Sequence, residues 1–221
     1  MSDDADAEAR AASARRRTWV IGGILLLLSV LVLVVARGPL AAVVPAKDWL
    51  FAAAGIVFAV GLGRGGSVTR RGVLGTVSTI LLVVAPLTQA FWFSLVPDTL
   101  DPHAEEDVWT LTWMAYLAVL AVLALVSIFC IGLADVVPSP WRWAPAWVVA
   151  WTPIAYLSGL FLFSSRSPTA DLGAYLTLYG PAAGTAFLGI LGLVLGRREP
   201  VPTRDGARAR STAGPVESSD T

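Results

Sequence analysis

The sequence predicts an all-α integral membrane protein: a single bundle of about six transmembrane helices with both termini in the cytoplasm. Three observations carry this. Hydrophobic residues make up 56% of the chain and charged residues only 14%, with a mean hydropathy of +0.69; ordinary globular domains carry roughly a quarter charged residues. The apolar residues fall in long uninterrupted blocks without a period of two, which argues against strands. The charges, although they sum to zero, are segregated along the chain.

Residues 1–17 end in "AASARRR", carry Asp3, Asp4, Asp6 and Glu8, and are expected to form a disordered cytoplasmic tail. Residues 18–198 form the six-helix domain. The Pro-, Ser- and Arg-rich segment 199–221 is expected to be a second disordered tail.

Between the tails, apolar spans run over 18–36, 48–63, 72–96, 108–133, 145–164 and 174–196. A helix rising 1.5 Å per residue needs about 20 residues to cross the hydrocarbon core. The first span is longer than the roughly 7–15 residues of a signal-peptide core, so it is expected to be retained. The second, "DWLFAAAGIVFAVGLG", is short and is expected to borrow from the apolar "GPLAAVVPA" before it or to sit in a thinned bilayer. Arg15, Arg16 and Arg17 precede span one, and Arg64, Arg70 and Arg71 separate spans two and three. Arg142 separates four and five, and Arg197 and Arg198 follow six. The positive-inside rule then puts these segments in the cytoplasm of a cell-membrane protein and the alternate loops outside.

The outer loops share a pattern: a proline, then an Asp where the next span begins, in "PAKDWL", "DPHAEEDVW" and "PTADLGAYL". Asp48, Asp107 and Asp171 are expected to be helix N-caps, accepting unpaired backbone N–H groups at the positive end of the helix dipole.

The most chemical-looking stretch is "PDTLDPHAEED", which holds the only histidine and five of the sixteen acids. His103, Asp101, Glu105 and Glu106 are weak candidate ligands for a hard cation, which favours carboxylate oxygens. One histidine and no EF-hand spacing make a solvated outer loop the better expectation. No cofactor is expected. A single cysteine, Cys130, excludes an internal disulfide and CxxC chemistry. The Arg residues flank spans and do not line a face, so no nucleic-acid partner is expected.

Ionisable residues near a span centre would mark ion or proton pathways, and none occurs. Pro86, Pro153 and Pro181 interrupt spans three, five and six, each removing a backbone donor and kinking its helix. Around them lie Thr88, Gln89, Thr152, Tyr156, Ser158, Tyr179 and Thr185, candidates with the deeper-lying Trp151 for a polar-lined cavity opening outward; the competing expectation is that neighbouring helices simply re-satisfy the freed groups. Thr185, Gly189, Gly192 and Gly196 form a small-residue stripe on span six that lets another helix approach closely, within the chain, in a homo-oligomer or on a partner membrane protein. The nine tryptophans are mostly expected at the headgroup level.

No nucleophile–base pair, HExxH or phosphate-binding loop is present. The sequence therefore favours a non-enzymatic membrane component embedded in the lipid bilayer, either an accessory subunit or a protein that handles a small molecule or lipid. The alternative is a transporter or permease subunit using the proline-kink cavity. A third reading is a membrane enzyme that uses the acidic outer loop.

Overall fold

A computed structural model describes residues 2–36, 38–62, 67–69, 72–94, 96, 102–134, 136–137, 139–164 and 170–198. Six α-helices account for most of them: α1 (Ser2–Val35), α2 (Ala46–Val60), α3 (Val73–Phe93), α4 (Pro102–Ala134), α5 (Ala144–Ser164) and α6 (Ala170–Arg198). Two 3₁₀ segments, Gly38–Val43 and Trp141–Trp143, precede α2 and α5. No strand occurs among the described residues. Among the described residues, six helices are long and apolar enough to cross a membrane.

The second span does borrow from the loop before it: α2 is only 15 residues long, but with the preceding 3₁₀ segment the apolar helical stretch runs from Leu40 to Val60. Helix α1 starts much earlier than its span. Its backbone is helical from Ser2, where disorder is expected from composition alone. Alanine dominates residues 5–14 and is the strongest helix former, and an apolar helix already nucleated downstream removes the initiation cost. The tail at 199–221 lies outside the described residues.

The helix starts also differ from the capping expectation. Helix α4 begins at Pro102, a full turn before Asp107, and α2 follows Pro45. Proline suits the first helical position because its fixed φ is already helical and the N–H it lacks would have no partner there. Asp48 and Asp171 therefore lie inside the first turns of α2 and α6. They still favour the positive helix end, but they are not caps.

The helices form an open ring in the order α5, α6, α1, α2, α3, α4. Each closed seam carries a close approach. In lipid, where burial alone does not drive helices together, such approaches hold a bundle. Between α1 and α6, a Cβ added at Gly23 would lie 2.7 Å from the Gly189 carbonyl oxygen. Between α3 and α4, one added at Gly75 would lie 2.7 Å from Cys130 Cβ, and the Ser127 hydroxyl meets Ser78 Oγ at 3.2 Å. Gly55 of α2 faces Val83 of α3, and Gly180 of α6 faces Ala155 of α5. Helices α4 and α5 scarcely touch along their lengths; the Trp141–Trp143 turn joins them at one end.

That end is the Arg-rich end, where α1 enters and α6 finishes. It is closed by the connections. Helix α2 stops at Gly61, whose φ of 74° suits a residue without a Cβ. The chain then folds back so that Ser67 and Thr69 donate their hydroxyls to the Ala59 carbonyl at 2.5 and 3.3 Å. This sets Val68 into an apolar cluster with Val137, Ala144, Leu191 and Leu195. Thr18, only 1% exposed, ties α1 to the same place: it donates to Ala14 O at 3.0 Å and accepts the Leu62 N–H at 2.9 Å.

Candidate functional site: a central apolar cavity

The ring encloses a cavity of about 440 Å³ to which all six helices contribute, within the range of about 300–1,000 Å³ usual for small-molecule sites. Trp19 and Leu26 come from α1, Gly55 and Phe58 from α2, and Val83 and Pro86 from α3. Helix α4 adds Leu120, Ala124 and Ile128, α5 adds Val148, Val149 and Thr152, and α6 adds Pro181, Leu188 and Leu191. No Asp, Glu, Lys, Arg or His is among the lining residues.

Four hydroxyls reach the wall, from Thr79, Ser127, Thr152 and Thr185. Each has a carbonyl of its own helix as acceptor: Thr79 to Gly75 at 2.7 Å, Ser127 to Leu123 at 2.8 Å, Thr152 to Val148 at 2.9 Å and Thr185 to Pro181 at 3.4 Å. Back-bonding of this kind satisfies a hydroxyl on an apolar helix. Apart from the indoles of Trp19 and Trp141, the cavity thus presents hydrocarbon and a few oxygen lone pairs.

The cavity lies toward the Arg-rich end. It begins at Val68, Val137 and Leu195 and reaches Pro86, thirteen residues into α3, which is about 20 Å at the helical rise. This chamber overlaps only in part with the residues grouped around the proline kinks. Pro86 and Pro181 do face the interior, but Pro153 does not line it. Of the polar residues grouped around the kinks, Thr152 and Thr185 do line it, whereas Thr88, Gln89, Tyr156 and Ser158 are exposed and Tyr179 is half-buried. None of the latter five lines the cavity, and neither does Trp151. Trp151 has a different job: its indole N–H donates to the Gly180 carbonyl at 2.7 Å, joining α5 to α6 beside the Pro181 kink.

The small-residue stripe of α6 faces α1. Added Cβ atoms at Gly189, Gly192 and Gly196 would meet Leu27, the Trp19 carbonyl and Val20 respectively. Thr185 continues the same row into the cavity wall. At the far end of the bundle, Glu105, Glu106 and Asp107 are exposed at the start of α4. His103 is in its first turn, and Asp101 lies outside the described residues. Among the described residues no three His, Cys, Asp or Glu side chains group as metal ligands do.

The open side of the ring is the feature that sequence reasoning missed. Val149 lines the cavity yet is 37% exposed, and Trp141 does the same at 38%, so the cavity communicates with the outside between α4 and α5. Along α4, Gly132 is covered by the Trp143 ring, which a Cβ added at this position would meet at 2.9 Å. No signal of the open side was present in the sequence, since α4 carries small residues at Ala115, Ala118, Ala121 and Ala124 and α5 at Ala146, Ala150, Ala155 and Gly159.

No protein-family model, curated protein or solved structure matches this chain.

Proposed function

We propose that the protein is a non-enzymatic, multi-pass component of the cell membrane that holds a hydrophobic small molecule or lipid in its central cavity. The observation that carries this is an apolar, ion-free chamber of about 440 Å³ on the axis of six membrane-length helices, reached through a lateral gap. The Arg distribution supports cytoplasmic termini and an outer face at the His103 loop. Helix α1 supplies Trp19 and Leu26 to the wall, which supports its being kept in the mature protein. An ion-coupled carrier is the weaker reading, because such carriers place ionisable groups inside the bundle.

The test is to purify the full chain in mild detergent and identify bound lipid by native mass spectrometry. Wild type is expected to retain a stoichiometric lipid, and Ala124→Phe and Leu188→Trp, which fill the chamber from α4 and α6, to lose it while eluting as monodisperse protein. A lipid-free wild type, or equal lipid content in all three, refutes the proposal.

A further inference from the structure

We propose that the occupant is an acyl chain of an anionic phospholipid from the leaflet at the Arg-rich end, that it enters sideways between α4 and α5, and that Arg142 holds its headgroup at the mouth. This rests on the hydrophobic-ligand reading above and names the ligand class, route and recognition residue.

The chain chemistry follows from the wall. A sugar, nucleotide or peptide would bring several polar groups into a space whose hydroxyl donors already have carbonyl acceptors, and burying such groups without partners opposes binding. A hydrocarbon chain has no such need.

The route follows from the seams. Val68, Val137 and Leu195 stopper the axis at the Arg-rich end. The seams from α5 round to α4 are closed at glycines: Gly180 on Ala155, Gly23 on the Gly189 carbonyl, Gly22 on the Phe58 ring, Gly55 on Val83 and Gly75 on Cys130. Only the α4–α5 side lacks them, and there Val149 is at once cavity wall and exposed surface.

The leaflet follows from depth: most lining residues lie in the half of their helix nearer the Arg-rich end, with Phe51, Pro86 and Pro181 just past the middle. The headgroup contact follows from the 3₁₀ turn that bridges α4 and α5 at the foot of the gap. Trp141 faces the cavity and Trp143 lies on Gly132 of α4. Between them, half-buried Arg142 has its guanidinium 6.0 Å from the Trp143 ring centroid. A phosphodiester whose tail lay between α4 and α5 would sit at this level, where a guanidinium is suited to phosphate oxygens. Arg16, Arg17, Arg197 and Arg198 are exposed at the same end and add a field of the same sign.

The test uses the full-length protein in vesicles of equimolar phosphatidylglycerol and phosphatidylcholine. In separate samples, one or the other lipid carries a photoreactive diazirine near its chain end, and labelled residues are mapped by mass spectrometry. The phosphatidylglycerol probe is expected to label Ala124, Ile128 and Val148, in preference to the phosphatidylcholine probe. Arg142→Gln should cut that preference about fivefold, the worth of one basic side chain at a membrane surface, and Arg142→Lys should keep most of it. Val149→Trp from α5 and Leu120→Trp from α4 should each reduce interior labelling about tenfold or more. Interior labelling indifferent to Arg142→Gln overturns the headgroup contact, and interior labelling unchanged in both Trp variants overturns the route. Labelling confined in every sample to lipid-facing residues such as Phe129, Leu133 and Leu157 overturns the occupied cavity itself.

Discussion

The α1–α6 seam gives the most direct test of the bundle. Gly23 and Gly189 let the two backbones meet: a Cβ on Gly23 would fall 2.7 Å from Gly189 O, 3.2 Å from Leu193 N and 3.3 Å from Leu193 Cγ. A carbon normally approaches a carbonyl oxygen no closer than about 3.3 Å, so Gly23→Ala must part the helices by about half an ångström. Overpacking of this kind costs about 1–3 kcal/mol. Replacing a mid-helix glycine by alanine returns about 0.5–1 kcal/mol, leaving a net loss of about 0.5–2 kcal/mol. Gly23→Val adds two methyl groups against backbone, which cannot rotate away, and recovers less helix propensity, so its loss should exceed about 2 kcal/mol. For a chain of this size that is a Tm lowered by about 4 °C or more. The assay is thermal unfolding of detergent-solubilised protein followed by size exclusion, with Ile21→Ala on the exposed face of α1 as reference, expected within about 0.5 kcal/mol of wild type. If Gly23→Val melts with Ile21→Ala, the seam is not close-packed and the ring order built on it fails.

Thr18→Val keeps the shape of a buried side chain but leaves the Leu62 N–H without its acceptor, a loss of about 1–3 kcal/mol. Faster hydrogen exchange at Leu62, just past the end of α2, in the variant than in wild type would report it, and unchanged exchange would refute it. Trp151→Phe removes the indole donor to Gly180 O, and bonds between membrane helices average about 0.6 kcal/mol with a maximum near 1.7; denaturation in mixed micelles should show a loss in that range. For orientation, single cysteines introduced at His103 and at Ser211 in a Cys130→Ser background should react with an impermeant maleimide on opposite sides of intact cells, His103→Cys from outside and Ser211→Cys only after lysis. Labelling of both from outside would overturn the assignment.

The number, order and rough limits of the helices were legible because a long apolar block admits few alternatives. The second span's reliance on residues before Asp48 was legible from length alone. The cavity was not, and the cause is physical. On a soluble helix the polar face marks the outside. Here outward-facing residues such as Leu133 and Phe161 are as apolar as cavity-facing Leu120 and Leu191, so the sequence carries little facial contrast. Gln89, Tyr156 and Ser158 drew attention as polar groups near prolines, yet they lie on exposed faces. The kinks themselves were visible, but which way each proline faced depended on the packing of other helices. The glycine stripe of α6 could be read as a packing surface, although nothing in it identified α1 as the helix it meets.

The uneven seams bear on how the molecule can move. Apolar burial holds soluble domains together but does little between helices already surrounded by lipid, so a seam in a bilayer is about as strong as its close contacts and its interhelical hydrogen bonds. By that measure the ring is strong from α5 round to α4. Glycine seams join its neighbours, Ser127–Ser78 and Trp151–Gly180 bridge two pairs, and Phe93 packs on Trp109 and Trp113 at 5.3 and 5.7 Å at the far end of α3 and α4. The α4–α5 side has the Trp141–Trp143 turn at one end and little beyond it. Widening that gap breaks the fewest contacts of any motion that opens the chamber, so a bulky hydrophobic occupant can be admitted without unfolding a seam. The same weakness would allow a partner helix to lie there in an assembled complex. Such a helix would cover Val149 and Trp141 and close the chamber, which makes loss of lipid exchange on assembly the observation that separates an accessory subunit from a free lipid carrier.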